Sequence, residues 1–184
     1  MVAPITSFNG TASPSCGGWA IIDVTRAYNA SGTVSRARRG FAAAPGVAAV
    51  VVVDELEYVP GAAAPPANVT WSLHTRAVPT SAAGGGVTLS RSGVVGALAV
   101  LPRATACTSL GAWDFVPLAP LLPDPPYDSA AGYTRVQVAA SLPAAEGADA
   151  CTRIAVALGD ASTVVGLAGV DVRPLDAWTA SGPF

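Results

Sequence analysis

Glycine and proline interrupt this chain so often that long helices are excluded. Its 184 residues include 19 glycines and 16 prolines, the residue types that end or kink helices. Between these breaks, apolar Trp71 and Leu73 alternate with polar Ser72 and His74, which is the period of a strand with one buried face. Other β-rich runs of strand length cover residues 19–28, 47–53, 87–91, 94–101, 134–140 and 153–158. We therefore predict an all-β fold, an antiparallel β-sandwich of many short strands.

The length of the chain fits one domain with a sizeable core. Strand patterns of similar character continue on both sides of the connectors, so we predict a single β-sandwich over residues 19–184, preceded by an N-terminal extension over residues 1–18. The Pro-rich connector at residues 117–126 has two interpretations. It is either a polyproline II ligand for an aromatic groove or an ordered loop over the sandwich, and its leucines favour the loop.

The charge of the chain excludes some classes of partner. Ten arginines, with no lysine, are set against twelve acidic residues, and the formal net charge is −2. This balance excludes a strongly basic nucleic-acid-binding domain, so we expect no nucleic acid partner. The longest apolar run, residues 41–53, is shorter than the about 20 residues that a spanning helix needs, so we expect no membrane span.

Every asparagine of the chain begins an N-x-[ST] sequon, and these are Asn9, Asn29 and Asn68. Sequons are acceptors for N-glycosylation in exported proteins, although single ones often arise by chance. The pattern favours a secreted or extracellular glycoprotein. The first residues lack the basic and apolar regions of a signal peptide.

The cysteines Cys16, Cys107 and Cys151 lack the C-x-x-C spacing of zinc sites and redox motifs. In an oxidising compartment Cys107 and Cys151 would pair and leave Cys16 free. Alternatively, all three are half-buried thiols that behave as small apolar residues. The sequence leaves both interpretations open.

Few side chains predict catalysis. His74 is the only histidine, no nucleophile motif accompanies it, and a general base needs a positioned partner. Asp54 would add one metal ligand, but zinc takes at least three from protein, so we expect neither a metal nor another cofactor. We interpret His74 as a solvated residue and Asp54 as a cap or a partner across the strand end. The polar-face candidates for a site are His74, Arg76, Asp54 and Tyr133.

Two kinds of side chain predict contacts with a glycan. Arg36 and Arg38, in the only basic cluster of the chain, present forked guanidinium groups that suit an anionic sugar. The alternative is that these charges protect an exposed edge strand. Trp113 and Trp178 are the candidates for an exposed aromatic platform, with burial in the core as the alternative for both.

Four segments occur in an order that goes beyond composition. They are IDVTRAY at 22–28, SRARRGF at 35–41, VVVVDEL at 50–56 and VTWSLHT at 69–75. This series resembles the C-terminal β-sandwich of the heparinase II/III-like polysaccharide lyases. Further pieces at 93–101 and 132–136 lie where that family has later strands, and the resemblance covers about residues 19–160.

The resemblance implies a scaffold role. Lyases of this family pair an α/α toroid with the sandwich and cleave uronic-acid polysaccharides by β-elimination. Their H-x-H, D-x-G and H-N-x-[VIL] signatures do not occur here, so the chain alone is not expected to be catalytic. The resemblance makes an acidic polysaccharide or an α/α toroid domain the expected partner. Two other hypotheses are a free-standing carbohydrate-binding or interaction module, and a lyase with a new site at His74, Tyr133 and Arg76.

Overall fold

The protein is built from two antiparallel sheets, which confirms the predicted all-β sandwich. The computed structural model describes residues 4–10, 17–29, 32–43, 46, 48–59, 68–102, 109–118, 132–141, 152–181 and 183–184. The strands are β1 Ile5–Gly10, β2 Gly18–Asp23, β3 Val34–Ala43, β4 Ala49–Tyr58, β5 Asn68–Thr75, β6 Val78–Ser81, β7 Val87–Arg91, β8 Val94–Val100, β9 Ser109–Pro117, β10 Thr134–Ser141 and β11 Thr152–Gly159. The helices are α1 Thr25–Tyr28, α2 Ala161–Leu167 and α3 Leu175–Ser181.

The strands divide unequally between the sheets. The large sheet has the order β1-β2-β3-β4-β11-β8-β7-β6, and the small sheet has the order β5-β10-β9. Within the described residues, β5 therefore has a neighbour on one side only, whereas β3 is paired on both sides by β2 and β4. The interpretation of the Arg36 and Arg38 charges as guards of an edge strand is wrong, because β3 lies inside the sheet.

Strand β4 contributes apolar side chains to both faces of the large sheet. Successive side chains of a strand point to opposite faces. Val51 and Val53 belong to the cluster that packs against α2 and α3, whereas Leu56 packs on the other face with Val69 of β5. A strand without polar alternation is typical of a sheet covered on both sides. The molecule therefore has three layers: the small sheet, the large sheet and the C-terminal helices.

The core between the two sheets is formed by the alternating strands. Trp71, Val136 and Val138 of the small sheet pack against residues such as Leu98 and Val156 of the large sheet. Trp71 meets Trp113 edge to face, with ring centroids 6.1 Å apart. The predicted alternation of β5 is confirmed, because Trp71 is buried while Ser72 and His74 are exposed.

The helical layer closes the other face of the large sheet. Leu175 and Trp178 are fully buried against it, and Gly40 of β3 makes room for them. A Cβ atom at Gly40 would meet the Leu175 side chain and would lie 2.7 Å from Cη2 of Trp178. The sequence analysis did not predict α2 or α3, since each is only seven residues long and shows too little of the helical period.

Asp160 is the N-cap residue of helix α2. The Asp160 carboxylate accepts a hydrogen bond of 2.9 Å from the backbone N–H of Thr163 and one of 2.6 Å from the Ser162 hydroxyl. These bonds, the one from the Ser162 side chain first, lower the pKa of Asp160 to about 2. An aspartate in this position satisfies N–H groups that have no partner within the helix.

The N-terminal region differs from the prediction in two places. Strand β1 lies within the predicted extension, where it pairs with β2. Its apolar residues Ile5 and Phe8 are exposed, so β1 lacks the alternation of buried and exposed residues from which the other strands were predicted. The predicted run 19–28 ends early as a strand, at Asp23. The Asp23 carboxylate accepts the Thr25 N–H at 2.8 Å, and this local bond starts the turn of α1 instead of continuing the strand.

Candidate functional site

Arg36 and Arg38 on β3 face carboxylates on the neighbouring strand and on α3. Arg38 donates to Glu55 at 2.9 Å and to Asp176 at 2.6 Å. Arg36 pairs with Glu57 and lies 3.2 Å from the same Asp176. We call these five residues the inner ion network. Both guanidinium groups predicted to contact a glycan are thus already bound to carboxylates of the same chain.

Glu55 is the buried centre of the inner ion network. The residue is 4 % exposed, one carboxylate oxygen accepts from Arg38, and the other accepts the backbone N–H of Leu175 at 2.9 Å. Glu55 therefore satisfies the first N–H of α3 and joins that helix to the sheet. A buried carboxylate needs such partners, because an unpaired one would pay the full cost of desolvation.

Asp176 carries the network into the helical layer. The hydrogen bond from Arg38 contributes most to lowering the pKa of Asp176, and the charges of Arg38 and Arg36 act in the same direction against the opposing effect of burial. Asp176 also lies in the first turn of α3. The network therefore holds the helix in place on the large sheet.

Arg39 and Asp54 form a second ion pair, on the opposite face of the large sheet. Nε and Nη2 of Arg39 donate to the two oxygens of Asp54 at 2.6 and 2.9 Å, and this bond raises the pKa of Arg39. The pair lies at a pocket between the sheets that is also lined by Tyr28 and Trp71, with a cavity volume of about 20 Å³. That volume suits a water molecule. The interpretation of Asp54 as a partner across strands is confirmed. The predicted strand end at this position is wrong, because β4 continues beyond Asp54 to Tyr58.

Asp54 and His74 do not come together. Asp54 lies on the face of the large sheet that is turned towards the small sheet, whereas His74 lies on the outer, exposed face of the small sheet. Within the described ranges, no three His, Cys, Asp or Glu side chains form a group that would hold a metal ion.

The outer face of the small sheet gathers the remaining polar-face candidates at one end. His74 of β5 is paired with Arg135 of β10 across the two strands, next to the pair Thr75 and Thr134. One residue further, the guanidinium of Arg76 stacks over the ring of Tyr133, 4.6 Å from its centroid. We call His74, Arg76, Tyr133 and Arg135 the cationic corner.

The cationic corner has no internal counter-charge in the part of the chain that the structure describes. His74, Arg76 and Arg135 form no ion pair there with a carboxylate. Asp114, on the same face, accepts a hydrogen bond of 3.0 Å from Gln137 instead. Nε of Arg135 is buried and has no hydrogen-bond partner among the residues that the structure describes. The sequence analysis missed Arg135, although it shares with Tyr133 the polar phase of the alternating pattern in β10.

The tryptophans predicted as sugar platforms are both part of the packing. Trp178 has no exposed surface, its Nε1 donates to the backbone oxygen of Arg173 at 2.8 Å, and its ring meets Trp19 edge to face. The prediction that Trp178 contacts a glycan is wrong, because a fully buried ring cannot stack on a sugar. Trp113 is half-buried, and its Nε1 donates to the backbone oxygen of Gly85 at 2.8 Å; its glycan contact stays a prediction.

The modification candidates are only partly described. Asn9 and Asn29 are exposed, as a glycosylation acceptor must be. Three of the predictions lie outside the described residues: the cysteine pairing of Cys107 with Cys151 and the alternative for Cys16, the side chain of Asn68, and the Pro-rich segment from residue 119 onward.

Comparison with known proteins leaves the family open. No model of a protein family matches the chain, and no curated protein matches it in sequence. None of the helices in the described part of the chain is long and apolar enough to cross a membrane.

Proposed function

We propose that this chain is the non-catalytic β-sandwich portion of, or is derived from, a heparinase II/III-like lyase that acts on uronic-acid polysaccharides by β-elimination. The observation that carries the proposal is that the arginines of the SRARRGF segment form ion pairs inside the chain. Arg36 and Arg38 are bound to Glu57 and Glu55 within the inner ion network. Charges that hold a sheet and a helix together support chemistry performed elsewhere rather than perform it.

The environment of the only histidine supports the same proposal. β-Elimination on a uronic acid needs a base for the C5 proton and a group that neutralises the sugar carboxylate. His74 and Arg76 are exposed on a sheet face, and the guanidinium of Arg76 is stacked on Tyr133. A general base acts efficiently when a partner orients it next to the proton it removes, and no hydrogen bond within the described residues orients His74.

The proposal is tested by incubating the purified chain with heparan sulfate, alginate and pectate and following the absorbance of unsaturated products. We expect no turnover. The control variant is Arg91→Ala, which changes an exposed residue at the end of β7. Turnover that is lost in the His74→Ala variant and kept in this control would overturn the non-catalytic assignment. The transcript upstream of Met1 tests the kinship with the lyases, which predicts that an α/α toroid is encoded there.

A second candidate is a free-standing extracellular carbohydrate-binding or interaction module. The observation that favours it is the cationic corner, where positive charge is concentrated on an exposed face. The exposed sequon residues Asn9 and Asn29 are compatible with export. Binding of the chain to acidic glycans on an array, with no cleavage of them, is the expected result for this candidate.

A further inference from the structure

We propose that the cationic corner is a binding site for the carboxylate or sulfate group of an acidic glycan. This inference rests on the second candidate function and names its binding surface. Arg76 and Arg135 would hold the oxyanion from two sides, with His74 between them as a further donor.

The arginines of β3 differ from those of the cationic corner in their partners. Arg36, Arg38 and Arg39 each form ion pairs with carboxylates of the same chain. Arg76 and Arg135 form no ion pair within the described residues. A guanidinium without an internal acceptor retains its forked N–H donors for an external one.

The geometry of the cationic corner places both arginines around one position for an anion. His74 and Arg135 lie directly opposite each other on antiparallel strands, and Arg76 is two residues beyond His74 on the same face. Diagonal neighbours of this kind are about 7–8 Å apart at the backbone. That spacing lets two long arginine side chains reach one oxyanion placed between them.

The cationic corner is partly organised before a ligand binds. Stacking on Tyr133 restricts the position of the Arg76 guanidinium, and within the described residues its N–H donors form no hydrogen bond with the protein. A cation over an aromatic face is held by the quadrupole of the ring. An orientation set in advance reduces the entropy lost on binding.

The choice of an acidic glycan over nucleic acid follows from charge density. The corner brings together two arginines and one histidine on a chain with net charge −2. Nucleic acids carry a charge on every nucleotide and are bound through many phosphate contacts. A glycan presents isolated anionic groups, which a single local site of this size can recognise.

The test uses the full chain and calorimetric titration with four probes: an oligogalacturonate, a heparin oligosaccharide, a neutral dextran oligosaccharide and a single-stranded DNA oligonucleotide. The galacturonate carries carboxylates only and the heparin fragment adds sulfates, so the two separate the sources of the anion. We expect binding of one or both acidic glycans, weakened by added salt, and no binding of dextran.

The variants locate the site. The double variant Arg76→Ala with Arg135→Ala should bind the acidic glycan at least about tenfold more weakly, since two charge-assisted bonds are removed. The matched control is Arg91→Ala, an exposed arginine at the end of β7, which should bind like the unaltered chain. Thermal melting of each variant verifies that the fold is retained.

The outcomes separate the site from the function. If the double variant and the control bind the glycan equally well, the cationic corner is not the binding site, but the second candidate function still stands. Absence of binding to either acidic glycan would overturn both. Equal affinity for DNA would show a general attraction of polyanions and would overturn the assignment of a glycan.

Discussion

The inner ion network and the cationic corner use the same residue types in opposite ways. In the network, Arg38 lies between Glu55 and Asp176 and its side chain is only 12 % exposed. In the corner, Arg135 lies opposite His74 and forms no ion pair within the described residues. The difference arises because the neighbouring strand supplies acids in one case and a histidine in the other.

This comparison shows that an arginine in a strand has no fixed role. Across an antiparallel pair, opposite charges stabilise the sheet and like charges destabilise it. The network therefore contributes to folding, whereas the corner is a place where the sheet tolerates unbalanced charge. A folded protein tolerates such a site only on a solvent-exposed face, where solvent and salt screen the charges.

The largest expected effect is that of Glu55→Ala. The substitution leaves the guanidinium of Arg38 and the Leu175 N–H without their buried acceptor, and breaking a buried pair from one side costs about 3–5 kcal/mol. Urea unfolding should report a loss of this size. The control is Glu57→Ala at the partly exposed end of the network, which should cost less than about 1 kcal/mol. Equal losses for the two variants would contradict the central role of Glu55.

The next effect tests whether shape as well as charge holds α3. Gly40→Ala places a methyl group against Leu175 and Trp178, and overpacking of this kind costs about 1–3 kcal/mol. Gly10→Ala is the matched control, because nothing lies within 4 Å of a Cβ at that position. If both variants have the same unfolding midpoint in urea, α3 does not pack as closely as described.

A smaller effect is expected from acid. The folded-state pKa of Asp176 lies below its ordinary value of 3.8, so its contribution is present above about pH 4 and is lost as the pH falls through the lowered folded-state pKa. Asp176→Asn should therefore lower the stability at neutral pH by about 0.5–1 kcal/mol, given that the side chain is largely exposed. At pH 3 the difference in the free energy of unfolding between the variant and the unaltered chain, measured by urea unfolding, should be smaller. A constant gap across the two pH values would exclude a role for the Asp176 charge.

The smallest effect belongs to the cationic corner. Arg135→Ala removes a charge that has no carboxylate partner in the described part of the chain, so the free energy of unfolding should change by no more than about 0.5 kcal/mol. Arg38→Ala, at the equivalent position of the inner network, should cost several times more. Urea unfolding of the two variants in parallel measures the contrast directly. A large loss in Arg135→Ala would mean that the corner serves the fold.

Much of the sandwich could be predicted because the signal is local. The alternation of β5 places Trp71 inside and His74 outside, and β7 was predicted with its observed bounds, Val87–Arg91. Elements whose burial depends on distant partners could not be predicted. Strand β1 exposes Ile5 and Phe8, and α2 and α3 are short helices that become stable only on the face of the large sheet.

The candidate sites were predictable only in part. His74, Arg76 and Tyr133 do lie together, but Arg135 completes the group through the pairing of β5 with β10, more than fifty positions apart along the chain. Trp178 was a candidate for a sugar platform, but its ring is buried against Gly40 of β3. The sequence could not show this, because Gly40 and Trp178 are far apart along the chain. Asp54 was correctly interpreted as a structural partner, but it pairs with Arg39 from the middle of β4 and not from a strand end.

The sequence alone determined that this chain forms strands, where many of them run and which side chains share a face, because period and turn residues act over a few neighbouring positions. Only the tertiary structure decided which charges meet. Register joins residues that are far apart along the chain, and it paired Arg38 with Glu55 but Arg135 with His74. Coulomb interactions depend on those distances, so the division between a neutralised network and a cationic corner exists only in the folded protein.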